Sequence, residues 1–83
     1  MPKFMDYHAK MPQMPPAAVK QMQDMLKAKK KDKFGVTPQT VYMGAAGQCY
    51  CLTDAPSADA VRKSHEANGA PAPDQVVEVT SMP

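Results

Sequence analysis

Polar and apolar side chains alternate over residues 3–9, and that alternation predicts a β-strand. Met5, Tyr7 and Ala9 form its more apolar face, which is expected to meet the core. Phe4, Asp6 and His8 are then expected on a sheet surface free of helices. Residues 10–16 carry three prolines and read as a loop, with a proline suited to the first turn of a helix. Over 17–30 the period lengthens, and Ala18, Val19, Met22, Met25 and Leu26 make one stripe of an amphipathic helix. Lys27, Lys29, Lys30 and Lys31 are expected in its last turn, where cations complement the helix dipole. Gly35 is expected to close the helix.

A second strand is predicted over 37–43, and Pro38 within it argues for a sheet edge, because proline cannot donate to a ladder. Gly44, Ala45, Ala46 and Gly47 predict a hairpin turn into a third strand at 48–53. Ser57 is a good N-cap for a second helix over 57–68, which Gly69 and the Pro71/Pro73 segment end. A last strand is predicted over 75–80, with 81–83 frayed.

The order β-α-β-β-α-β is the ferredoxin-like arrangement. It implies one α+β domain over 1–83, with a four-stranded antiparallel sheet in the order 4-1-3-2 and two helices on one face. Pro38 then falls on an edge strand, in agreement with its chemistry. In this topology the first strand and the second helix both run toward one rim. His8, His65, Asp74 and the 44–47 turn are therefore expected in one neighbourhood. His65 follows Val61 by four residues, which puts it on the buried stripe of its helix.

Composition adds limits. With 83 residues, eight methionines and no tryptophan, the core is thin. Such a chain gains from a second copy, so a homodimer is expected. A net charge of +2 is too small to imply nucleic-acid binding, and no aromatics interleave with the lysine run. The N-terminus lacks a signal-peptide pattern, and no apolar run approaches the ~20 residues needed to cross a bilayer. A cytoplasmic protein that avoids membranes is expected.

Two histidines with Asp6, Glu66 and Asp74 near one rim point to a metal site or a general acid/base site. Each also has a plainer reading. A histidine on a helix's apolar side is commonly a hydrogen-bonded structural residue, and an Asp6/His8 pair on a sheet surface could be a dimer contact. Cys49 and Cys51 share a strand face at a spacing unfavourable for a bridge, so reduced, buried thiols that pack as small hydrophobes are expected. Tyr42 and Tyr50 are expected to pack in an interface or line a pocket. The methionines are soft enough for copper(I), but Met22 and Met25 belong to the helix stripe, and Met11 and Met14 alone lie in a loop.

Three segments carry a family resemblance: 4–8 followed by 11–14, then 50–61, then 65–69. Together they make the chain similar to the small nickel-binding proteins of ferredoxin-like fold, over nearly its whole length. The resemblance implies a dimer that pairs its sheets and takes up nickel, or another divalent metal, through histidine and acidic groups. Relatives of this type tend to carry further histidines where this chain has Gln21, Gln23, Thr37 and Ala70. His8 and His65 remain.

The expectation is therefore a non-enzymatic, dimeric metal-binding protein with His8 and His65 as nitrogen donors and Asp6 or Glu66 as oxygen ligand or outer partner. The competing expectation is a dimeric α+β-barrel enzyme or small-molecule binder, with Asp6 and His8 as acid and base in a cavity between paired sheets and Tyr42 and Tyr50 as its walls. A plain interaction module would leave both histidines structural.

Overall fold

The computed structural model describes residues 2–11, 15–80 and 82. The elements follow the expected order: β1 Lys3–His8, α1 Pro16–Ala28, β2 Thr37–Met43, β3 Cys49–Asp54, α2 Ala58–Ala67 and β4 Gln75–Val79. The strands form one antiparallel sheet ordered β2-β3-β1-β4, the 4-1-3-2 order read from the other edge. Residues 12–14, within the segment that bears part of the resemblance, and residues 81 and 83, in the stretch expected to fray, lie outside the described residues.

Local chemistry explains most boundaries. Ser57 caps α2 by accepting the Ala60 N–H at 3.1 Å. The 44–47 turn closes with Gly44 N–H on Gln48 O at 2.8 Å, and Gly47 sits at φ +90°, where a side chain would strain. Pro38 lies on edge strand β2, beside an irregularity in the register between Pro38 and Thr40.

Helix α1 ends earlier than expected. Lys29, not Gly35, closes it, in a left-handed conformation with its N–H on Met25 O at 3.0 Å. Of the lysine run, Lys27 alone lies in the last turn, and the others follow the helix. Gly35 serves the next loop instead, where Asp32 accepts the N–H groups of Phe34 and Val36 and the Ser64 hydroxyl of α2. That carboxylate ties the loop to α2.

The larger correction concerns the face of β1. Phe4, Asp6 and His8 point under the helices, at 5%, 0% and 3% exposure, while Met5 and Tyr7 lie half-buried on the helix-free face. Phe4 joins Val36, Ala55, Ala60 and Val61 in a small core, with Phe34, Ala58 and Val76 packed against it. Two residues of α2, Ala60 and Val61, supply part of that core, whereas α1 buries none of its side chains fully. Its predicted stripe is real but shallow: Ala18, Met22 and Leu26 are half-buried, and Val19 and Met25 stay exposed. On the helix-free face Tyr7 stacks obliquely on Tyr50, ring centroids 5.1 Å apart, beside the exposed Tyr42 and Val77.

Candidate metal centre

The inward parity of β1 brings its two polar side chains together in the interior. Asp6 and His8 are two residues apart on one strand, so both project from the same face. Nε2 of His8 lies 3.1 Å from Oδ1 of Asp6. The partner strand adds sulfur to the same patch, because Cys51 pairs with Asp6 and Cys49 with His8 in the β1–β3 register. One atom each from Asp6, His8 and Cys51 can be chosen so that all three lie within 4.8 Å of one another.

Helix α2 lays His65 over this patch. Its ring is centred 5.3 Å from that of His8, and its Nε2 stands 3.6 Å from Oδ2 of Asp6. The ring is held from behind, because Nδ1 lies 2.8 Å from the carbonyl oxygen of Val61 one turn earlier. A nitrogen bonded to a carbonyl must carry the proton, so in the neutral ring Nε2 presents its lone pair to Asp6. The shared rim inferred from topology is thus a direct meeting of His8, His65 and Asp6.

Among the described residues two buried side-chain polar atoms have no hydrogen-bond partner, Oδ2 of Asp6 and Nδ1 of His8. Buried polar atoms are nearly always satisfied, so both belong to an arrangement that lacks a positive or donating partner. The mutually close donors are one imidazole, one carboxylate and one thiol, with the His65 imidazole 3.6 Å from the carboxylate. This set fits a transition-metal ion of borderline softness.

The remaining acidic candidates fall elsewhere. Glu66 is exposed; one helical residue past His65, it is rotated about 100° away and borders a shallow depression with Arg62 and Pro73. Asp74 is committed at the rim, its carboxylate accepting the Ala9 N–H at 2.7 Å while its own N–H reaches Tyr7 O at 2.8 Å. The 44–47 turn joins that rim too, through Met11 N–H on Gly47 O.

Both cysteines are free, as expected, with their sulfurs 3.6 Å apart. Burial pushes the Cys51 thiol far above its ordinary pKa, helped by the charge of Asp6, and burial raises that of Cys49 as well. Their closeness to Asp6 follows from the β1–β3 register, which the hydrophobic pattern of the two strands does not specify. With the observed parity of β1, Tyr42 and Tyr50 lie on the opposite face of the sheet from Asp6 and His8, so the four do not share one face as the barrel-type expectation has it. Among the described residues no helix is long and apolar enough to cross a membrane.

Comparison with known proteins agrees with the fold and gives the site a context. A family model described as "Nickel responsive protein SCO4226-like" matches residues 4–79. The crystal structure of SCO4226 from Streptomyces coelicolor A3(2) is similar at 32% sequence identity, covering 98% of this chain and 99% of that one, with a TM-score of 0.72. No curated protein matches the chain.

Proposed function

The chain belongs to the SCO4226-like family of nickel responsive proteins, and on that premise we propose that it is a non-enzymatic, homodimeric protein that binds a divalent transition metal, nickel foremost, through His8, His65 and Asp6. One observation carries the reading: buried Oδ2 of Asp6 has no donor among the described residues and faces Nε2 of His65 at 3.6 Å. A neutral His65 ring, its Nδ1 proton on the Val61 carbonyl, turns the Nε2 lone pair toward this oxygen, and a cation between the two atoms would bind both. The separation is too long for a hydrogen bond. It agrees with the roughly 3.3–3.8 Å between donors around a tetrahedral ion with bonds of about 2.0–2.3 Å.

The residues divide the work. Asp6 supplies the negative charge, and His8, whose Nε2 bonds the other oxygen of that carboxylate, offers its unpartnered Nδ1 to the ion. The Val61 carbonyl fixes the His65 ring and raises the basicity of Nε2. A bound ion would supply the positive charge that offsets a carboxylate with 0% exposure. Glu66, exposed and turned away, is left out of the donor set. The helix-free sheet face, with Tyr42, Tyr50 and Val77 uncovered, supports pairing with a second copy.

Calorimetric titration of untagged protein with nickel tests the reading. The parent should bind, and His8→Ala and His65→Ala should each bind far more weakly. Because His8 is buried, its truncation costs stability of about 2–5 kcal/mol, so the folded fraction of each variant is measured alongside. Unchanged nickel binding by both folded variants would move the site elsewhere. Light scattering should return about twice the 9.0 kDa chain mass.

A further inference from the structure

Three donors leave a four-coordinate ion one ligand short, and the strand beside β1 offers a sulfur at that place. Cys51 stands directly across from Asp6 in the sheet, and its Sγ lies within 4.8 Å of an Asp6 oxygen and a His8 nitrogen. It is half-buried on the inward face, and the two orphaned polar atoms, on side chains 1% and 4% exposed, belong to the same cluster. Cys49 is one pleat farther along, opposite His8, and touches Cys51 rather than Asp6.

We infer that Cys51 is a metal ligand, which makes the centre a mixed nitrogen, oxygen and sulfur site selective for thiophilic divalent ions. The inference rests on the metal-binding reading above. Thiolates bind as anions, so formation of the metal–sulfur bond breaks the S–H bond, and the proton passes to solvent. Nickel, cobalt and zinc suit such a donor set, whereas magnesium, calcium and manganese, which prefer oxygen, do not. Cys49 supports the ligand sulfur from behind and is not itself bound. The site thereby discriminates by softness, which a histidine-carboxylate pair alone does only weakly.

The test is an absorption titration of the parent, Cys51→Ser and Cys49→Ser with cobalt(II) and nickel(II). The parent and Cys49→Ser should develop a near-ultraviolet sulfur-to-metal charge-transfer band, and Cys51→Ser should bind more weakly and show no such band. Alkylation of the unmutated protein, read by peptide mapping, guards against a misfolded variant: nickel should slow modification of Cys51. A parent that binds nickel with no band, unaltered Cys51 alkylation and an unaffected Cys51→Ser variant overturns the inference while the histidine site stands. A band lost in Cys49→Ser instead overturns the assignment. Absence of any metal binding by the parent overturns both readings.

Discussion

Nε2 of His65 and Oδ2 of Asp6 face each other across 3.6 Å, one from helix α2 and the other from strand β1. The separation is longer than a hydrogen bond, and the carboxylate oxygen has no hydrogen-bond donor among the described residues, while the far side of the ring is held by the Val61 carbonyl. It joins β1 and α2 through residues 59 positions apart in sequence.

Asp6→Asn keeps the shape and removes the charge. Nickel affinity should fall by more than the roughly 10–100-fold typical of losing an outer partner. The metal-free variant should be as stable as the parent or more so, since it no longer buries an incompletely paired carboxylate. Calorimetry and urea melts check the two halves. Lower stability with unchanged nickel affinity would make Asp6 a structural anion.

The thiols predict an alkaline limit. Both pKa values are raised in the folded chain, so above the ordinary thiol value of about 8.5 the unfolded chain loses protons that the folded one keeps. Stability is therefore insensitive to these groups below that pH and falls as pH rises past it, by at most about 1.4 kcal/mol per pH unit for each thiol. Urea midpoints of the metal-free protein between neutral pH and the alkaline range should decline more steeply for the parent than for Cys51→Ser. Parallel curves would show that the thiol ionises equally in both states.

Ser64→Ala should loosen the fold without touching the donor atoms. The Ser64 hydroxyl donates to Asp32, whose other oxygen holds two loop N–H groups. A hydrogen bond to a charged acceptor contributes about 1.5–3 kcal/mol, and the lower part of that range is expected at this half-exposed acceptor. Chemical denaturation measures the loss; nickel affinity of the folded protein should stay close to that of the parent.

Element order, sheet order and the convergence of His8 with His65 were legible because they follow from turn chemistry, caps and topology. Ser57, Pro38 and the 44–47 turn each work locally, and the structure uses each as read. The parity of β1 was not legible. Met5 and Tyr7 outweigh Phe4 in apolar surface, yet both faces of this strand are partly covered, and a one-residue decision turns every side chain over. The signal that could have resolved it lies on β3, where Cys49, Cys51 and Thr53 face His8, Asp6 and Phe4. Small, easily buried residues on the neighbour mark the inward side. Helix α1 misled for a related reason: its stripe has the right period, but it packs near edge strand β2, where little surface can be covered.

The Val61 carbonyl that holds the His65 ring is also part of the backbone of α2, and Ser64 on that helix grips the Asp32 loop. The hydrogen bonds therefore run from the ring to the helix, and through Asp32 to the amides of Phe34 and Val36, just ahead of β2. One short helix thus serves both the buried cluster and the loop that leads into the sheet's edge strand.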